Sequence, residues 1–179
     1  MRLAHLSDFH FTELTWNPLR LLSKRVLGNL NWLISRKNQF NRSLSQSLPS
    51  LLQELGVDCV LMGGDFTTTA MREEFALAKS YVEQFPMRWF ATAGNHDHYT
   101  YHSYRTRRFY ESLGHGQDQW LYGSLAKERI EAHRLMPGWT LIILDTARPT
   151  HFLSSRGLFS KALENKLCDC LASLGAHER

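Results

Sequence analysis

Only three cysteines, Cys59, Cys168 and Cys170, occur in 179 residues. So small and odd a number excludes a disulfide framework and fits a reducing cytosol. Cys59 lies in an apolar run and reads as a small buried hydrophobe. Cys168 and Cys170 stand two apart on a helical pattern, so they point in different directions and make a poor metal pair. No window reaches the roughly 20 apolar residues that a membrane-spanning helix needs. The opening MRLAHLSDFH turns polar too soon for a secretory signal, so a cytoplasmic chain is expected. Repeats, low-complexity tracts and linkers are lacking as well. That excludes solenoids and long disordered tails, and one domain over residues 1–179 is expected.

Charge of one sign is not in large excess either. A net charge of +4 suits an anionic substrate or an anionic membrane surface, and falls far short of a nucleic-acid packaging protein. Nothing reads as a dedicated nucleic-acid patch. With 43% hydrophobic and 21% charged residues, the chain can bury a sizeable core.

What is present alternates. Residues 3–6 form a short apolar strand that ends at Ser7-Asp8-Phe9-His10. Leu44, Leu48, Leu51, Leu52 and Leu55 repeat at helical spacing and are closed by Gly56. Residues 57–62 are a near-continuous apolar run broken by Gly63-Gly64. Phe75, Ala78, Tyr81, Val82 and Phe85 give a second helix over residues 71–85, stopped by Pro86, and residues 89–93 give a third strand ending at Gly94. Such order predicts a mostly parallel sheet covered by helices, an α/β fold. The second half changes character. Residues 128–135 alternate, residues 139–144 are strongly β-like, and Pro137-Gly138 between them reads as a hairpin turn. Ser160 then caps a helix carrying Leu163, Leu167, Leu171 and Leu174 that stops at Gly175.

Three strands end in polar clusters: Asp8-x-His10, Gly63-Gly64-Asp65 and Gly94-Asn95-His96-Asp97. In an open α/β sheet the functional crevice lies outside the carboxyl ends of the strands, so these clusters should converge. Asp, His and Asn offer the oxygen and nitrogen donors that Mn, Fe, Zn or Mg accept. Adjacent glycines let the backbone turn sharply beside an ion or phosphate. Taken singly, each residue could be a cap, a turn former or a surface histidine; the joint set argues for a site.

The three motifs, in this order, resemble the calcineurin-like metallophosphoesterase superfamily, over residues 1 to about 175. The resemblance implies a four-layer sandwich of helices around two sheets and a site for two divalent cations, with Mn first and Fe, Zn or Mg as alternatives. It implies that Asp8 and His10 bind the first ion, that Asp65 bridges both, and that Asn95 binds the second. It further implies that His96 stands beside the scissile phosphate, with Asp97 orienting it. Such an enzyme hydrolyses phosphoric esters or diphosphates. Superfamily members also carry a later histidine and a Gly-His-x-His cluster, and this chain has neither. Gly114-His115-Gly116 lies too early, and His177 reads as a surface residue. A domain truncated in its C-terminal part is therefore expected, poor in solubility, weak or inactive alone, and with an unprotected sheet edge.

Asp65 leads into Phe66-Thr67-Thr68-Thr69-Ala70 and not the Asp-Arg-Gly of protein phosphatases, which argues against a phosphoprotein substrate. Residues 14–37, LTWNPLRLLSKRVLGNLNWLISRK, combine Trp16, Leu19, Trp32 and Leu33 with Arg20, Lys24 and Arg25. A basic amphipathic segment with tryptophans suits a membrane interface or an acyl chain near the catalytic mouth, and equally an ordinary cap packed on the core. The first reading resembles the hydrolases that split UDP-2,3-diacylglucosamine in lipid A synthesis, and it places the chain peripherally on the inner membrane face. The alternatives are a phosphodiesterase of soluble or cyclic nucleotides, and a non-catalytic binding module on the same fold.

Overall fold

The computed structural model describes residues 1–13, 42–114, 120–150 and 154–174. The first half builds a parallel sheet in the order β1-β2-β3, from β1 (Leu3–Leu6), β2 (Cys59–Met62) and β3 (Arg88–Ala91). Register places Leu3 against Cys59 and Cys59 against Arg88. The crossover helices are α1 (Arg42–Glu54) and α2 (Arg72–Val82). Two short helices follow, α3 (Tyr101–Arg105) and α4 (Arg108–Leu113). The second half is an antiparallel meander of β4 (Trp120–Ser124), β5 (Ile130–Met136) and β6 (Trp139–Leu144), with α5 (Leu125–Glu128) inside the first connection. It closes with α6 (Lys161–Ser173), whose N-cap Ser160 hydroxyl accepts from the Leu163 amide at 3.2 Å.

Period-2 geometry explains the layering. Val60, Met62 and Ala91 face the helices and pack with Phe75, Ala78, Val82 and Phe109. Their neighbours Cys59, Leu61 and Phe90 point to the other face and meet Leu135, Leu141 and Ile143 of the second sheet. The opposite side of that sheet, Ile130, Ala132, Ile142 and Leu144, receives Leu163, Leu167 and Cys170 of α6. The layers therefore run helix, sheet, sheet, helix. Apolar runs without alternation in β2 and β6 follow from burial on both faces. Cys59 is fully buried, and Cys168 is exposed while Cys170 is buried, as their spacing requires.

The first helix spans Arg42–Glu54, so Leu55, the last of the expected helical leucines, lies just past its end, whereas the second ends at Val82, before the expected 85, because Glu83 already caps it. The third strand ends at Ala91, since Thr92 and Ala93 lead into the polar turn. Among the described residues, no helix is long and apolar enough to cross a membrane.

Candidate metal centre

The site is assembled by stitching three loops together at the carboxyl ends of β1, β2 and β3. Gly63 N–H donates to Leu6 O (2.7 Å) and Asp8 N–H to Gly64 O (3.1 Å). His10 N–H donates to Asp65 O (2.9 Å) and Phe11 N–H to Phe66 O (2.7 Å). Thr68 N–H returns to Phe11 O at 3.1 Å. The β1–β2 pairing thus continues irregularly past the strand ends, through backbone that is not extended. Asp8 (φ 61°), His10 (φ 49°) and Asp65 (φ 56°) all hold left-handed conformations. Asp and His tolerate that region better than most side chains, but each such residue still costs on the order of 1 kcal/mol, and strain of this kind collects at functional sites.

Two glycines allow the second and third loops to touch. A Cβ on Gly64 would collide with the Gly94 backbone, and one on Gly94 would collide with the Asp65 carboxylate. His96 N–H, in turn, donates to Asp65 Oδ1 at 3.0 Å.

This packing brings Asp8, His10 and Asp65 together, with one ligand atom from each within 4.8 Å of the others. Asp8 Oδ1 lies 3.6 Å from His10 Nε2, and Ser7 Oγ donates to Asp8 Oδ2 at 2.6 Å. Asp8 is exposed at the mouth, Asp65 is half-buried and His10 is buried. Divalent cations bind oxygen ligands at about 2.0–2.6 Å, so donors on opposite sides of one ion stand about 4–5 Å apart. Two carboxylates and an imidazole at these separations fit such an ion without rearrangement of the backbone. Asn95 lies half-buried on the turn between Gly94 and His96, next to this cluster in the chain.

The His96 ring meets His10 edge-on with centroids 4.8 Å apart and stacks on Tyr99 at 5.8 Å. Its orientation differs from the one the resemblance implies. His96 Nδ1 lies 2.8 Å from the Thr68 carbonyl, and a carbonyl only accepts, so Nδ1 is the donor. Asp97 is committed elsewhere. Its carboxylate accepts from the amides of Phe66 (3.3 Å), Thr67 (2.9 Å) and Gly94 (2.9 Å) and from the Thr67 hydroxyl (3.0 Å). Asp97 is the rivet between the second and third loops, and the ring of His96 belongs to Thr68. Burial raises the Asp97 carboxyl to about 6, against the lowering effect of the Gly94 and Thr67 bonds, with Asp65 adding to the rise.

A second buried carboxylate ties this loop to the other sheet, and motif reading gave no sign of it. Asp145, just past β6, takes His98 Nε2 at 3.3 Å, the Tyr110 hydroxyl, Arg129 Nη2 at 3.4 Å and the Ala147 amide at 2.9 Å. Arg129 Nη1 donates onward to the Tyr104 hydroxyl at 2.7 Å. Burial pushes the Asp145 carboxyl up, but the His98 bond and charge, then Tyr110 and Arg129, hold it below its ordinary value. Burial and the neighbouring Asp145 push the Tyr110 hydroxyl well up. Asp145 follows the apolar run of β6, so an acidic residue at a fourth strand end was the available signal.

The expected interfacial residues Trp16, Leu19, Arg20, Lys24, Arg25, Trp32 and Leu33 lie outside the described residues. The described residues end here at 13, with Phe11 bridged to Thr67 and the Thr12 hydroxyl 2.6 Å from that of Thr68.

No curated protein matches this sequence. The family model for calcineurin-like phosphoesterases matches residues 1–167, which include every ligand and loop described above. The chain belongs to the calcineurin-like phosphoesterase family.

Proposed function

We propose that this metal-dependent phosphoester hydrolase cleaves the diphosphate of UDP-2,3-diacylglucosamine, releasing UMP and the acylated sugar 1-phosphate. The observation that carries hydrolysis is the convergence of Asp8, His10 and Asp65 from two strand ends, with the His96 ring against His10. Asp8, His10 and Asp65 would hold a divalent cation, with Mn foremost, which would supply activation of a water and neutralisation of phosphoryl oxygens for an in-line displacement. Asp65 and Asn95 are the residues for a second ion.

The protein's own part is geometric. Asp8 and Asp65 present carboxylate oxygens from backbone that is fixed by the loop ladder. His10 presents its Nε2 on the Asp8 side from a buried position. With Nδ1–H committed to Thr68, Nε2 is the remaining ring nitrogen of His96: it accepts in the neutral ring, and in the imidazolium form it can donate a proton to a phosphoryl or leaving oxygen.

Support for an amphiphilic substrate comes from the composition of residues 14–37, which follow in sequence on Phe11 and Thr12 beside the site. Tryptophans, leucines and cations in one segment suit acyl chains at a bilayer surface. UMP release from UDP-2,3-diacylglucosamine in mixed micelles with Mn, compared with UDP-glucose and a cyclic nucleotide, tests this. A preference for the lipid, lost in a Trp16, Trp32 and Leu33 to Ser variant that also ceases to float with anionic liposomes, is the expected result. Equal or better turnover of the soluble nucleotides moves the assignment to them. Metal binding by calorimetry without turnover of any ester leaves a binding module.

A further inference from the structure

Thr68 touches both histidines of the site. Its carbonyl takes His96 Nδ1 at 2.8 Å, and its hydroxyl lies 3.2 Å from the His10 carbonyl. The Thr12 hydroxyl is 2.6 Å from the Thr68 hydroxyl and 3.0 Å from that same His10 carbonyl. Two hydroxyls carry two protons, so the three contacts cannot all be donated at once. One hydroxyl donates to His10 O and the other donates to its neighbour. Thr68 is thus linked to the backbone of His10 directly in one arrangement and through the Thr12 hydroxyl in the other. Its amide is spent on Phe11 O at 3.1 Å, and the residue is only 2% exposed. Each polar group of Thr68 is therefore committed to the first loop or to His96.

We propose that Thr68 is a positioning residue of the phosphoesterase site, fixing the His96 ring in its Nδ1–H tautomer and at a set offset from His10. It performs the orienting task that the family resemblance gives to Asp97. Asp97 cannot perform it in this arrangement, because both of its oxygens already accept from the Phe66, Thr67 and Gly94 amides and the Thr67 hydroxyl. A main-chain carbonyl supplies direction without adding a charge beside the ion-binding carboxylates. The hydroxyl then makes that direction depend on where His10 is. The proposal rests on the reading that His96 faces the scissile phosphate, and its test separates the two.

The first readout needs no turnover. In the ¹⁵N-labelled full chain at about pH 8, where an ordinary histidine is neutral, long-range proton–nitrogen correlation should show His96 as a single Nδ1–H tautomer. Thr68→Val keeps the shape but lacks the hydroxyl, and should give a tautomer mixture; Thr68→Ser should retain the single form. With Mn and bis(p-nitrophenyl) phosphate, Thr68→Val should lower kcat about tenfold at unchanged KM, and Thr68→Ser should stay within about twofold of wild type. In a His96→Ala background, Thr68→Val should cost nothing further, whereas a merely structural role predicts the same loss in both backgrounds. An Nε2–H tautomer in the wild type, or additive losses, overturns the proposal. If His96→Ala is as fast as wild type, it is the phosphate-facing role of His96 that falls, and the tautomer still reports on Thr68.

Discussion

Asp97 and Asp145 are buried alike, at 0% and 1% exposure, and each accepts several hydrogen bonds, yet their carboxyls move in opposite directions. Asp97, in the parallel half, is raised to about 6 by burial, accepts only from amides and a hydroxyl, and has the Asp65 carboxylate nearby adding to the rise. Asp145, at the end of the antiparallel half, is lowered against burial by the His98 ring first, then by the Tyr110 hydroxyl and the Arg129 guanidinium. Amide and hydroxyl dipoles arrange Asp97 without fully replacing its hydration, whereas the His98 bond and charge, joined by Tyr110 and Arg129, outweigh the cost of burying Asp145. The two halves hold the site by these different means. The parallel half joins loop to loop through backbone bonds and the Asp97 carboxylate, and the antiparallel half grips the third loop from behind through the Asp145–His98 bond, with Arg129 beside it.

Removing each centre tests that division. Asp97→Ala should be the most damaging change, because it leaves the Phe66, Thr67 and Gly94 amides buried without acceptors. We expect a loss of about 3–5 kcal/mol in urea unfolding. Asp145→Asn should cost about 3 kcal/mol, since the new amide turns its donors toward donors and leaves Arg129 uncompensated.

The same variant has a pH signature. A carboxyl lowered on folding adds stability that is present above its unfolded value of 3.8 and is lost as pH falls through the folded value. Wild type should therefore lose this contribution in acid, and Asp145→Asn should show a shallower acid limb in thermal melts. Glu74 gives the opposite slope. It is fully buried and accepts from the Thr69 and Met71 amides at 2.9 and 3.1 Å, and burial raises it from 4.5 to about 7 despite those bonds. The folded chain then binds more protons than the unfolded one over that window, so stability should fall as pH rises from about 4.5 to about 7, by up to about 3 kcal/mol. Glu74→Gln should flatten this slope, because a glutamine oxygen can still serve both amides while its NH₂ faces the Thr69 hydroxyl. The smallest effect belongs to the far edge of the second half. Ser160→Ala removes the cap of α6 and should cost about 1 kcal/mol, without changing metal affinity in calorimetry.

Much of the first half was readable because its signals are local. Apolar runs of four to six residues, helical spacing and glycine stops placed β1, β2, β3, α1 and α2 within a few residues. Asp8, His10 and Asp65 could be found because their residue types are rare together at strand ends. Their left-handed backbone was not readable, since it depends on the ladder between loops and not on any one residue's preference. The five residues of α3 and six of α4 are too few to show a period, and β4 carries a glycine at position 123 that weakens any strand signal. The His98–Asp145 pair joins positions 47 apart, and only the packing of one sheet on the other brings them into register. The Thr67–Thr69 run was visible as letters, but its tasks toward His96, Asp97 and Glu74 exist only once the loops have met.

The long separation within that pair also dates the parts of the site against one another. Contacts among the ligand loops close within the first 97 residues, while the grip on His98 waits for Asp145 to be made and for the meander to dock. During synthesis, the cation-binding corner therefore leaves the ribosome ahead of its anchor, and closing the larger loop is the slower event. An ion captured in that interval would meet ligands already gathered on a scaffold that is still half built.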